Sequence, residues 1–333
     1  MADYKTIKGT KIQNYTTDPD NPLTGQVWYN ETDQVLKVNT GPLVNAWATG
    51  NDMNTARNRL AGTGTQTAAL AIGGTDTPSN RVALTESYNG TNWTEVNDLN
   101  SARSQYAGSG TQTSSLVAGG IAPTLPPFTG ATESWNGTSW TEVNDLNTAR
   151  FDLVSAGADN TSSLAFGGDI VTSPEFFAGT ESWNGTSWTE VNDLNTGRSQ
   201  LAGIGIQTAA LAVAGYNGAS NSLTESWNGT SWTEVNDLSR GVTRYLAGAG
   251  ITTAALAFGG ETPSPDTPYI LTESWNGTSW TEVNDMNVAK REHGGAGTQP
   301  TALAFGGENR DTNQLAATEE WGETGGNRTI GSS

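Results

Sequence analysis

A single phrase of sequence recurs along the chain. Thr-Glu-Ser-Trp-Asn-Gly-Thr-Ser-Trp-Thr-Glu-Val-Asn-Asp returns almost unchanged, with its first Glu at Glu86, Glu133, Glu181, Glu225 and Glu273 and a degenerate copy at Glu319. The spacings are 47, 48, 44, 48 and 46 residues. A repeat of this length cannot bury a hydrophobic face alone, so the chain must be an array, a solenoid or a propeller. Most residues then serve the scaffold, and function belongs where the copies differ.

Each unit reads as four short strands. In different copies these are Leu201-Ala-Gly-Ile-Gly, then Ala255-Leu-Ala-Phe-Gly-Gly, Thr272-Glu-Ser-Trp and Ser279-Trp-Thr-Glu-Val. Short, evenly spaced strands separated by turn residues predict an all-β fold. Asn-Gly between the third and fourth strands predicts a hairpin with a type I′ turn, which needs positive φ at both central residues. The paired glycines, with Ala214-Gly215 as a substitute, occur six times, and so does the third-strand aromatic from Tyr88 to Trp321. The fourth-strand Trp occurs five times after residue 90. The sixth is Trp47, because 47–57 aligns with 140–150. The repeat region therefore begins with a fourth strand and ends with a third. A closed ring makes use of that offset, since closure removes the two open ends of a β array. The expected architecture is six blades over 44–321, locked through Trp47 and Trp321. Residues 1–43 form a separate segment, and 322–333 a Gly/Ser/Thr-rich, poorly ordered tail.

A di-glycine, then a Tyr or Trp, then a Trp five residues later resembles the kelch repeat. The resemblance covers about 44–321 and implies a six-bladed kelch-like β-propeller. Two departures from the family pattern are that Trp usually replaces the Tyr, and that the fourth unit carries Ala214-Gly215. In the leading segment, Gly25-Gln-Val-Trp-Tyr-Asn and Val35-Leu-Lys-Val read as a β-hairpin. It is similar to short modules at the start of bacteriophage tail-fibre and other virion proteins. That resemblance implies a docking element built on Val27, Trp28, Tyr29, Val35 and Leu36, the alternative being a hairpin that covers the propeller.

Composition narrows the function. There is no cysteine, so thiolate metal sites and disulfides are excluded. A formal charge of −18 argues against nucleic acid and against anionic lipid. No apolar run is long enough for a membrane helix, and the N-terminus lacks the apolar core of a signal peptide. The one histidine, His293, stands where another unit has Tyr106 and reads as filler rather than base. Kelch-like copper radical oxidases need a Cys-linked tyrosine and paired histidines, which this chain lacks. The carboxylates Glu86, Glu95 and Asp98 recur in nearly every unit, which favours ion pairs over a catalytic or Ca²⁺ site. Their expected partners are Arg57, Arg103, Arg150, Arg198 and Lys290, with Arg240 or Arg244 in the fifth unit. The Asn-Gly-Thr sequons read as turns.

The copies differ between strands two and three, in 75–84, 121–131, 169–179, 216–223, 261–271 and 308–317. Alternate connections of a blade leave on one face, so these loops share a face with the Asn-Asp-Leu-Asn-Thr linkers. Variable loops on a rigid scaffold suit recognition, the alternative being drift in tolerated loops. The candidate ligand residues are Arg81, Phe128, Phe176, Phe177, Tyr216, Asn217, Asp266, Tyr269 and Arg310. The expected function is non-enzymatic, with no cofactor and no metal. It is that of a virion surface protein, such as a tail fibre, tail tip or head fibre, which meets other virion proteins through its N-terminal segment and a host glycan or protein through its loops. A homo-oligomer is compatible with this. The rivals are a capsid or tail decoration protein with no receptor, a polysaccharide-degrading enzyme, and a cellular kelch-type adaptor.

Overall fold

The computed structural model describes residues 12–39, 41, 44–77, 80–123, 128–170, 176–239, 241, 243–263, 266–311, 313–324 and 327–330, and only the backbone of 263, 266, 267, 324 and 327–330. The described residues are all β, with no helix. They divide into two compact units, Trp47–Trp321 and a smaller one of Met1–Ala46 with Gly322–Ser333.

In the large unit each sequence repeat forms one four-stranded sheet. The second repeat is typical: Ala107–Thr111, Ser114–Ala118, Thr132–Trp135 and Trp140–Val143 pair antiparallel in chain order. The sixth sheet draws Gly294–Gly297, Ala302–Phe305 and Thr318–Thr324 from the end of the chain and Val44–Thr49 from its start. First strands lie side by side from sheet to sheet, and Gly294–Gly297 of the sixth packs on Ala61–Thr65 of the first. Their alternating Ala and Gly keep the strands thin enough for this approach. A Cβ at Gly62 would lie 2.6 Å from the Gly295 carbonyl oxygen.

Between sheets the core is aromatic. Leu70 and Ile72 of the first sheet pack with Val117, Trp135 and Trp140 of the second. Each fourth-strand Trp also donates its indole N–H to a third-strand Thr of the preceding sheet, as Trp140 does to Thr85 at 3.3 Å and Trp188 to Thr132 at 3.1 Å. The series runs across the chain termini, with Trp47 to Thr272 at 2.9 Å and Trp93 to Thr318 at 3.0 Å. Trp47 thus occupies the place that Trp140 holds in its own sheet.

The third-strand Glu is buried and saturated. Glu86 accepts from the Asn54 backbone N–H at 2.7 Å, the Asn54 side chain at 2.9 Å, the Thr55 N–H at 3.3 Å and Arg57 at 2.9 Å. The expected ion pairs form as Arg57–Glu86, Arg103–Glu133, Arg150–Glu181 at 3.3 Å, Arg198–Glu225 and Lys290–Glu319 at 3.4 Å. In the fifth unit Arg244 pairs with Glu261 at 2.9 Å, Arg240 lies outside the described residues, and Glu273 accepts from the Ser239 N–H and hydroxyl. The linker of this unit is one residue longer, with Leu238 to Leu246 where the fourth has Leu194 to Leu201, and this moves Arg244 outward in register, opposite Glu261.

Two local expectations are corrected. The Asn-Gly turns are not type I′. Gly137 has φ of 90° but its Asn does not reach positive φ, and Trp135 pairs with Trp140 across four loop residues. The Asn136 carboxamide oxygen accepts from the Thr138 and Ser139 N–H groups, both at 2.9 Å. This side-chain turn replaces the tighter backbone turn. The C-terminal segment is not a loose tail, since Asn327–Ile330 pairs antiparallel with Val35–Asn39. It occupies what would otherwise be an open strand edge.

The small unit contains the expected hairpin, Val27–Asn30 with Val35–Asn39, plus a parallel strand Gln13–Tyr15. Trp28 is fully buried and donates to Asp18 at 3.1 Å, so it is core of this sheet rather than an exposed docking residue. Val27, Tyr29, Val35 and Leu36 remain partly exposed.

Two stability measurements check this packing. Glu133→Ala leaves Arg103 buried without its carboxylate and should cost about 3–5 kcal/mol in urea unfolding. Trp47→Ala should cost as much as Trp140→Ala, about 3–5 kcal/mol. A markedly milder effect at Trp47 would mean that the N-terminal strand is dispensable to its sheet.

Candidate functional site

The linkers carry the chain from each fourth strand to the next first strand. Just before that strand, one residue per sheet adopts left-handed backbone: Arg59, Gln105, Asp152, Gln200, Tyr245 and Glu292, with φ between 51° and 59°. None is glycine, and such backbone is held only where the surroundings over-determine it. Here the restraint is circular. Each of these N–H groups donates to the carbonyl of the equivalent residue one sheet back, from Gln105 to Arg59 at 3.1 Å round to Glu292 to Tyr245 at 3.1 Å. Arg59 completes the circuit by donating to Glu292 at 2.8 Å. The six side chains line one cavity of about 100 Å³.

The chemistry of this mouth is uneven. Asp152 accepts from Gln105 at 2.8 Å and from Gln200 at 3.2 Å. Burial pushes its carboxyl up to about 6, and Asp169 adds to the rise. Glu292 accepts from Arg59 and Asn58, each at 2.8 Å, yet burial still carries it up to about 7. Burial likewise raises the Tyr245 hydroxyl, the nearby Asp152 adding to it. His293 lies beside the mouth, buried against Phe258 with ring centroids 5.7 Å apart. The equivalent Tyr106 donates to the Ile72 carbonyl, so this position fills the scaffold.

Outside the mouth the linker residue and the first loop residue of each sheet form an isolated bridge, such as Asn58 with Thr75 and Ser199 with Tyr216. Their side chains separate into two arcs. Over the fifth, sixth and first sheets runs a charged chain. Arg244 meets Glu261, Glu261 meets Arg291, Arg291 donates to Glu308 at 2.8 Å, and Asn58 bridges Glu308 at 2.7 Å to Glu292. The other sheets carry aromatics. Phe128 stacks on Phe151 at 4.6 Å, and Phe176 meets Tyr216 edge-on at 5.3 Å. Arg244 joins the arcs, its guanidinium 5.2 Å from the Tyr216 ring and 5.5 Å from the Tyr245 ring.

Of the residues expected from sequence, Phe128, Phe176 and Tyr216 fall together on the aromatic arc. Phe177 instead covers the buried Arg150 guanidinium at 5.1 Å and packs over Gly179. Tyr269 holds the matching place: the Phe177 and Tyr269 N–H groups donate to Gly168 and Gly260 respectively. Phe177 thus serves the scaffold. Arg81 lies in a short ribbon paired with Thr75, and Asn217 and Arg310 are exposed at loop tips. The Asp266 backbone pairs with Pro263, and its side chain lies outside the described residues. Phe151 and the six mouth residues are additions. Their signal was available: all but Tyr245, which follows Arg244, come two positions after a buried Arg or Lys, and their identity changes in every copy but the two Gln inside an otherwise uniform linker. Among the described residues no group of three His, Cys, Asp or Glu could hold a metal ion.

No protein-family model and no curated protein matches the chain. Among solved structures, YjhT aligns with a TM-score of 0.68 over 81% of this chain and 95% of that one, at 11% identity. That likeness concerns the fold alone, and it agrees with a propeller-like arrangement of four-stranded sheets.

The raised carboxyls predict a pH dependence. Folding lifts Glu292 from 4.5 to about 7 and Asp152 from 3.8 to about 6. Across that window the folded chain binds more protons than the unfolded one, so these groups make stability fall as pH rises. Glu292→Gln removes one of them, and its Tm should decline less than the wild-type Tm between those pH values. Equal slopes would show that Glu292 titrates normally.

Proposed function

We propose that the large unit is a six-bladed kelch-like β-propeller closed by Val44–Thr49. On this reading it is a non-enzymatic recognition module on a virion surface, such as a phage tail fibre, tail tip or head fibre. The closed-ring reading is supported by the circular packing of first strands and by Trp–Thr bonds that run across the termini. Recognition is carried by one observation: on a scaffold of near-identical sheets, the side chains on one face differ from sheet to sheet. They group there into a polar mouth, a charged arc and an aromatic arc. Half-exposed aromatics beside Asn, Asp and Arg suit a host surface glycan or protein. Many displayed copies would give weak sites useful avidity. The small unit, with Val27, Tyr29, Val35 and Leu36 partly exposed, supplies the contact to other virion proteins.

The test is binding of the labelled full chain, alone and multimerised, to a panel of bacterial cells and surface polysaccharides. Selective binding should be lost in a Phe128→Ala, Phe176→Ala, Tyr216→Ala variant of unchanged Tm. If even the multimerised wild type binds nothing, the receptor reading fails in favour of a decoration protein.

A further inference from the structure

The chain contains Asn-Gly in two settings. Asn89-Gly90, Asn136-Gly137, Asn184-Gly185, Asn228-Gly229 and Asn276-Gly277 stand in the repeated turns, and Asn217-Gly218 stands in a variable loop. Asn before Gly is the pair at which a carboxamide is most easily lost, because glycine has no side chain to keep its backbone nitrogen away from the Asn carboxamide carbon. All of these Asn are exposed, so access to water does not separate them. Hydrogen bonding does. In every repeated turn the carboxamide oxygen accepts the backbone N–H groups two and three residues on, as Asn184 does from Thr186 and Ser187, both at 2.9 Å. The backbone of the turn is closed as well, there by the Asn184 N–H on the Ser187 carbonyl at 3.3 Å. The turns at Asn136, Asn184, Asn228 and Asn276 are also held from outside. An Asn of the preceding sheet donates to the Thr carbonyl of each, as Asn144 does to Thr186 at 2.8 Å. Asn217 differs. It heads the short loop between Ala209–Tyr216 and Ser220–Trp227, where its N–H donates to the Ala219 carbonyl at 3.2 Å. Among the described residues its carboxamide has no hydrogen-bond partner. The loop is also uncrowded, since a Cβ at Gly218 would meet only the Phe176 ring, at 3.7 Å.

We propose that Asn217 is a site of spontaneous deamidation through a succinimide, and that the repeated Asn-Gly turns are protected from the same reaction by their fold. The Gly218 backbone nitrogen gives its proton to hydroxide and attacks the Asn217 Cγ. The N–Cγ bond forms, the Cγ–Nδ2 bond breaks, and the side-chain nitrogen takes a proton from water and leaves as ammonia. Water then opens the ring at either of its two carbonyls. One opening gives aspartate, and the other gives isoaspartate, in which the chain runs on through Cβ and Cγ. The whole reaction consumes one water and releases one ammonia, with no change of oxidation state. At Asn217 the side chain turns onto the Gly218 nitrogen without surrendering a bond. At Asn184 it must first release two N–H groups, which are then left without their acceptor. The product places a further negative charge next to Tyr216, whose ring lies 5.2 Å from the Arg244 guanidinium, in a chain of formal charge −18. The variable face thus changes its charge with age while the repeated turns keep theirs. This chemistry holds whether or not the face binds a receptor.

The experiment incubates the purified full chain at mildly alkaline pH, folded in buffer and unfolded in urea, and maps both with a protease that cuts after Glu. The repeat supplies its own control. The peptides 134–142, 182–190, 226–234 and 274–282 are all Ser-Trp-Asn-Gly-Thr-Ser-Trp-Thr-Glu, so one signal reports the protected turns together, while Asn217 falls in 191–225. Fragmentation of 191–225 separates Asn217 from Asn192, Asn195 and Asn221. Mass spectrometry reads the exchange of ammonia for water, and chromatography separates isoaspartate from aspartate. In urea Asn217 and the shared peptide should react at similar rates. In the folded chain Asn217 should stay close to its unfolded rate. The shared peptide should slow by about 10-fold or more, the factor expected when two hydrogen bonds must break first. The proposal is overturned if Asn217 in the folded chain is as slow as the shared peptide, or if the shared peptide reacts as fast folded as it does in urea. Aspartate without isoaspartate at residue 217 would also overturn it, because direct hydrolysis does not pass through the ring.

Discussion

The structure depends on a carboxylate. The third-strand Glu of a typical repeat sits under its sheet and accepts two backbone N–H groups, an Asn carboxamide and a buried Arg or Lys. Its partners come from the linker that arrives from the preceding sheet, so one side chain fixes the angle between neighbours. The strength of the arrangement lies in saturation. A buried ion pair alone adds little to stability because both charges lose water. Here the remaining lone pairs of Glu are occupied as well, and the Arg donates further to carbonyls, as Arg57 does to Gly73 at 2.8 Å and Leu84 at 2.7 Å. Burial pulls Arg150 down to about 10 and lowers Lys290, which measures how much desolvation the surroundings must offset.

With the angle set by Glu and the inter-sheet core by Trp, the linker can end in an unfavourable backbone state. Six non-glycine residues in left-handed backbone are held by a circuit of hydrogen bonds that no single sheet could form. The di-glycine makes room for it. Gly74 has φ of 98°, and a Cβ there would lie 2.5 Å from the Asn58 carbonyl oxygen. A larger residue would therefore push the linker away from the base of its loop. The uniform part of the repeat thus creates a place where side chains can vary without cost to the fold.

That division explains which residues of the variable face could be read early. Phe128, Phe176 and Tyr216 stand out because they are aromatics in loops that otherwise differ freely. Phe177 stands out for the same reason but covers the buried Arg150 guanidinium, since a residue's place in a loop does not say which way the chain folds over the linker beneath it. The charged arc was half legible. Arg244 was visible as a candidate partner for Glu273, but one inserted residue shifts it onto Glu261 and into the chain that reaches Glu292. Asn-Gly marked every hairpin correctly while misleading about the turn, because the Asn carboxamide competes with the backbone for the same N–H groups.

The sequence by itself determined the strands, their order, the buried Trp, Glu and Arg positions, and the borrowed strand at Trp47. Those follow from alternation, turn chemistry and a repeat that states the same local solution six times. It marked the mouth residues only as variable linker positions and could not disclose that they meet. Arg59, Gln105, Asp152, Gln200, Tyr245 and Glu292 are each about one repeat apart, and within any one unit each is an unremarkable linker residue. Only the circular packing of first strands brings the six to one cavity, where burial raises two carboxyls and leaves a Gln oxygen without a donor. Desolvation depends on the summed surroundings of a group, and in this chain those surroundings come from every sheet at once.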